Sequence, residues 1–188
     1  MRIPIAGGSP ELIFAVVPGA GFTCARRPSS LCALVEPGVD RKEMIVTAFD
    51  PVNGRRGPEL ARFDRDPHLR EYDWPPCSIS PDGTRLAASR GPEGPIQILS
   101  LRGQRAQVIQ VPSLHDIRLL GWAGDGLFVI NGIRDGTVLQ HVDLQGHAQV
   151  LWKCSGGQQC DFSPSPDGRH LAILDRQLSA NIWMMENF

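Results

Sequence analysis

The sequence contains no apolar run of 18 residues, which leaves no segment suited to cross a membrane as a helix. The apolar stretch nearest the N-terminus, Leu12–Val17, is only six residues long. It follows one arginine, a proline and two glycines, a poor match to a secretory leader. Charge of one sign is missing too. The 19 Lys and Arg offset 20 Asp and Glu for a formal net charge of −1, which argues against a nucleic-acid binder and its basic face. The five cysteines and five histidines make no CxxC, HxH or HExxH, so no zinc site is expected. No GxSxG nucleophile turn and no phosphate loop of the GxxxxGK[ST] or GxGxxG kind occurs. These absences point away from peptidases and nucleotide-dependent enzymes. No catalytic residue, metal or cofactor is expected.

What the chain does have is punctuation. Its 20 Gly and 16 Pro break a 41% hydrophobic sequence into short apolar runs, the pattern of an all-β protein with many turns. Two runs are nearly the same: SPDGTRLAAS at 80–89 and SPDGRHLAIL at 165–174. Between them lies a degraded copy, AGDG at 123–126. The final glycines, Gly83, Gly126 and Gly168, are spaced by 43 and 42 residues, a period that fits propeller blades of four strands. Each turn precedes an apolar strand: Arg85–Ser89, Leu127–Asn131 and Arg169–Leu174. Third strands are expected within 43–54, 95–103, 137–146 and 181–188. Fourth strands are expected at 58–64, 105–111 and 147–152. In the turn itself, Pro81 and Pro166 preset φ near −65°. Asp82, Asp125 and Asp167 bond their own backbone, and Gly83, Gly126 and Gly168 take positive φ. The three aspartates read chiefly as turn formers, with calcium as the minor alternative. In the first unit RPSS (27–30) stands in the turn position, and extra residues are expected around Glu36–Lys42.

SPDG followed by a short apolar strand, then an IW-type strand ending near an acidic residue, resembles the WD40-like (PD40) repeat of TolB-type β-propellers. The last 19 residues also resemble the C-terminal ends of bacterial propeller sensor domains linked to Ser/Thr kinases or winged-helix regulators. The resemblance implies an all-β propeller of about four blades of four antiparallel strands. This is either a four-bladed ring or half of a seven- or eight-bladed one. The expected organisation is one domain over 1–188. Residues 1–18 supply a fourth strand from a preceding or closing blade. Blades occupy 19–66, 67–112 and 113–154, and an incomplete blade occupies 155–188. Glu11–Val17 is expected to pair with the open edge at Ala180–Phe188, because an unpaired edge strand invites aggregation. The alternative is that two copies complete a larger propeller as a homodimer.

Cys24 and Cys32 flank the RPSS turn symmetrically about Pro28. In a hairpin their Cβ atoms would lie ~4.5–5.5 Å apart, close to disulfide range, so a bridge or two buried thiols are both open. A bridge implies an extracytoplasmic or periplasmic setting, and free thiols a cytoplasmic one. Cys154 and Cys160 are a weaker pair. Cys77 aligns with Cys24 as a core residue. His68, His115, His141, His147 and His170 are scattered. Tyr72 and Trp74 lie in a blade connection. With Arg55 and Arg56 they are the candidate partner-contact rim, since aromatics and arginines anchor interfaces. Trp122 should sit on an innermost strand and Trp183 in an inter-blade core. Arg26, Arg27, Arg55, Arg56, Arg62, Arg65 and Arg70 bias the first blade towards an anionic partner, or towards a merely solvated rim. The expected function is a non-enzymatic recognition or sensory scaffold. It would bind a protein or small ligand at a loop face or in the central channel. The rival is a propeller hydrolase or lyase acting in that channel.

Overall fold

The computed structural model describes all residues except 2, 4, 71, 72, 92, 94, 104–106, 113, 156–159, 166–168 and 176–188. The regular elements among the described residues are strands, and their pairings are antiparallel. The first sheet holds β1 (Gly21–Cys24), β2 (Cys32–Pro37), β3 (Glu43–Asp50) and β4 (Arg55–Asp64). The second holds β5 (Cys77–Ile79), β6 (Arg85–Ser89), β7 (Ile96–Ser100) and β8 (Gln107–Ile109). The third holds β9 (Ile117–Ala123), β10 (Gly126–Ile133), β11 (Gly136–Val142) and β12 (Ala148–Ser155). In the fourth, β13 (Cys160–Pro164) pairs with β14 (Leu171–Asp175). Each sheet is a meander in chain order, as the repeat requires. The expected third strand at 181–188, with Trp183, lies outside the described residues, as does the turn Pro166, Asp167, Gly168.

The sheets stack face to face, and the side-chain alternation of each strand feeds two neighbours. In β6, Leu86 and Ala88 enter a core shared with Val35, Met44, Val46 and Phe63 of the first blade. Ala87, between them, points the other way, into a core with Trp122, Leu127 and Val129 of the third blade. A strand covered on both faces reads as a continuous apolar run rather than an alternating one, which is why RLAAS looks as it does. A third core joins Ile130 and Leu139 to Cys160 and Phe162 of the fourth blade. Trp122 is fully buried on innermost β9 beneath Arg85, whose Cζ lies 4.7 Å from the ring centroid, and its backbone N donates to Ser78 Oγ at 2.9 Å.

The SPDG turn at 80–83 has the chemistry its sequence promises. Gly83 N donates to Ser80 O at 2.8 Å, with Gly83 at φ 71°. Asp82 accepts from Ser80 Oγ at 2.5 Å and from Thr84 N at 3.0 Å. The AGDG copy corrects the sequence reading. Its two-residue turn is Gly124–Asp125, with the positive φ (59°) at Gly124. Gly126 is instead the first residue of β10, where a Cβ would collide with the His141 ring and meet Val142 O at 3.0 Å.

Residues 11–17 are a second correction. They form no strand beyond an isolated bridge at Glu11, and their expected partner lies outside the described residues. The segment lies instead against the flank of the first blade that faces away from the second. Phe14 meets Phe49 with ring centroids 5.3 Å apart, and Ile13 closes over Gly54. Alternation explains the target: Ala33 and Val35 of β2 face the second blade, so Leu34 faces this flank. Arg26, just beyond β1, bridges the first and fourth blades by donating to Pro164 O and, at 3.3 Å, to Ser163 Oγ. Two disulfides are present. Cys24–Cys32 joins directly opposed residues of β1 and β2, and Cys154–Cys160 joins the third and fourth blades. Cys77 is a free thiol buried on β5, and burial pushes its pKa up to about 12.

Candidate functional site

Strand register sorts the loops onto two faces. Glu43 opposes Asp64, and Pro37 opposes Met44, so the β2–β3 turn (38–42) and the exit of β4 share one face. Cys32 opposes Phe49, and Phe49 opposes Arg56, which puts the β1–β2 and β3–β4 turns on the other. The second blade aligns the same way. Arg90, just past β6, accepts at its carbonyl from Asp66 N at 3.0 Å on the first face. On the second face Ser29 N donates to Pro81 O at 3.1 Å.

The extra length of the first repeat was expected near Glu36–Lys42. That turn is in fact short, and the excess is shared between β4, 10 residues against 3 in β8, and the connection between β4 and β5, residues 65–76. Arg65 organises it. Its backbone N donates to Lys42 O at 2.8 Å, and its Nη2 donates to Arg70 O at 2.6 Å. Asp66 caps the next turn through His68 N at 2.9 Å, and Asp73 holds Arg70 N at 2.9 Å. The loop thereby walls a cleft of about 850 Å³ between the first two blades. The cleft is lined by Arg41, Lys42, Arg65 and Arg90, by Asp40 and Asp64, and by Pro67 and Leu69. Four cations therefore face two carboxylates. Asp64 is engaged with Arg90 Nη2 at 3.6 Å, and Asp40 accepts from Lys42 N at 3.1 Å.

The candidate rim is not a single surface. Tyr72 lies outside the described residues. Trp74 is 38% exposed on the cleft face, with its indole flat against β1: a Cβ on Gly21 would sit 2.6 Å from Trp74 Cδ2. Arg55 belongs to the opposite face. Arg56 is drawn back along the flank to Glu36, donating from Nη2 to Oε1 at 2.8 Å and from Nη1 to Oε2, with its Cζ 5.0 Å from the Phe14 ring centroid. Arg62 pairs with Glu59 at 2.7 Å and Glu43 at 3.2 Å. Sequence reasoning noted Arg65 but missed Arg41, Lys42 and Arg90. The run DRKE at 40–43 was the available signal for the first two. Arg90 comes from the next repeat, and only packing brings it in. Among the described residues no group of three or more His, Cys, Asp or Glu side chains is placed to hold a metal ion.

No protein-family model and no curated protein matches the chain. Among solved structures it is similar to a putative TolB from Agrobacterium tumefaciens, at TM-score 0.60 and 17% identity over 94% of this chain and 65% of that one. It is also similar to Kuenenia stuttgartiensis hydrazine synthase, at TM-score 0.51 and 15% identity over 82% of this chain and 42% of that one. A third likeness, at TM-score 0.44 and 21% identity, is to the β-propeller domain of the Trilobed protease from Pyrococcus furiosus, over 77% of this chain and 45% of that one. The chain thus spans less than two thirds of each of these proteins. At such identities the likeness to the first two speaks for fold alone, and with the strand order above it makes the chain an all-β propeller of about four blades.

Proposed function

We propose that this propeller is a non-enzymatic recognition module of the WD40-like (PD40) kind, binding a protein partner or small ligand on its cleft face. The carrying observation is the connection 65–76, which spends a dozen residues on an 850 Å³ cleft where the other blade connections are shorter. That volume lies in the ordinary range for ligand sites. Trp74 adds a half-exposed aromatic to the same face. Support for recognition over channel chemistry comes from the described acidic groups, several of which serve their own turns: Asp82 through Ser80 and Thr84, Asp143 through His147, Asp116 through Arg118. The two disulfides favour an oxidising, extracytoplasmic setting. A homodimer completing a larger ring is the oligomeric reading to weigh by mass in solution.

Hydrogen exchange tests the module reading. A panel of neutral, cationic and anionic metabolites and short peptides is screened by melting, and the hits are mapped. Binding should slow exchange in 38–42 and 65–76 and leave 51–54 unchanged, with the ligand recovered intact. Protection confined to the opposite face, or ligand turnover, would sink the reading.

A further inference from the structure

The cleft contains an imbalance that its own residues do not resolve. Arg65 is only 5% exposed, yet its one described side-chain hydrogen bond is to a neutral carbonyl, Arg70 O at 2.6 Å. No carboxylate lies within ion-pair range of it among the described residues. Its Nε–H is buried without a partner, and so is the Nε–H of Arg90, which lines the same cleft. A buried cation is costly to retain unless a counter-charge meets it. A buried N–H left unmade adds to that cost. In the first blade Arg56 pairs with Glu36 and Arg62 with Glu59 and Glu43, whereas Arg26 bonds only neutral groups, Pro164 O and Ser163 Oγ, from a less buried position. Among the described residues Arg65 is the buried arginine, and it lines the cleft. Exposed Lys42 extends the positive charge at its mouth, while Asp40 and Asp64 are committed to Lys42 N and to Arg90.

We propose that this cleft binds the oxyanion group of a small ligand, a phosphate or a carboxylate, between Arg65, Arg90 and Lys42. The inference rests on the cleft-face reading above and adds the chemical class of the ligand. Guanidinium groups suit such anions because their N–H donors form charge-assisted, in-plane hydrogen bonds to paired oxygens. The remainder of the cleft, with Pro67 and Leu69 in its wall, has room for the less polar part of the molecule.

The test titrates the whole chain with inorganic phosphate in one arm and citrate in the other, at ionic strength matched with chloride. It reads melting temperature and the amide shifts of residues 38–42 and 65–70. Saturable binding of either anion at those amides, absent with chloride, is the expected result, and the tighter arm separates phosphate from carboxylate. Lys42→Ala, at an exposed position, should fold as the parent and weaken binding about 3- to 10-fold. Arg65→Gln should remove saturable binding. If Arg65→Gln does not fold, Arg90→Gln takes its place and should weaken binding at least as much as Lys42→Ala. No saturable binding in either arm, or constants unchanged in Lys42→Ala and Arg90→Gln, overturns the proposal. Uncharged panel ligands that protect the same loops without anion binding would do so while leaving the recognition module standing.

Discussion

At Ser80–Gly83 the turn is held by side chains as much as by backbone. The Ser80 hydroxyl, followed by the Thr84 backbone N–H, holds the Asp82 carboxyl down at about 2, below its usual range. The folded pKa is thus below the unfolded one. The stabilisation is fully present above about pH 4 and fades as pH falls from there towards 2. Asp82→Asn should therefore melt lower than the parent at pH 6, with the gap closing below pH 4. A gap that stays constant over that range would show that the charge of Asp82 does not matter. Gly83 is constrained twice. It sits at φ 71°, and a Cβ there would collide with Ser29 Oγ, which itself accepts from Leu31 N at 3.1 Å. Gly83→Val should cost about 2–3 kcal/mol, read as a Tm lower by roughly 5–10 °C. A parental Tm would refute the turn assignment. Gly126 teaches the opposite lesson. It shares the repeat position but not the conformation, because losing the proline and serine turned a four-residue turn into a two-residue hairpin.

Among the elements, the β1–β2 hairpin is bridged covalently at one end and lightly buried along β1. β1 is four residues long and its Phe22 is largely exposed, so the hairpin buries little on that strand. Its Cys24–Cys32 bridge closes a loop of sequence separation 8, which by chain entropy is worth about 2–3 kcal/mol. The paired substitution Cys24→Ser with Cys32→Ser should lower stability by that amount. It should also raise hydrogen exchange in β1 more than in β6, whose residues are buried on both faces. Equal exchange changes in the two strands would argue against a local role for the bridge. What the sequence reading misplaced is the surplus of the first repeat, which lies in β4 and the β4–β5 connection rather than around Glu36–Lys42. Counting showed surplus residues in the first repeat. It could not say where they lay, because hydrophilic residues at 38–42 and at 65–74 are equally compatible with a surface turn.

For the whole molecule, stability lies between the blades: three cores in succession, each fed by alternate side chains of neighbouring sheets. Such a stack leaves flanks to be covered at its ends, and the N-terminal segment covers part of one with Ile13 and Phe14. Arg26 ties the first blade to the fourth. The sequence by itself determined the all-β class, the meander order, most strand positions and the period. The class and strand positions depend on local chemistry, on Pro, Asp and Gly at fixed offsets and on the period-2 pattern, each legible within about ten residues, and the period on the recurrence of those signals along the chain. Only the tertiary structure decided where the N-terminal segment goes, which arginines find carboxylates, and that Lys42, Arg65 and Arg90 meet in one cleft. These outcomes depend on side chains from separate loops and neighbouring blades being brought within hydrogen-bonding distance. Residues so far apart in the chain leave no periodic trace of that encounter, and burial, which makes the lone Arg65 charge costly, exists only once the blades have packed.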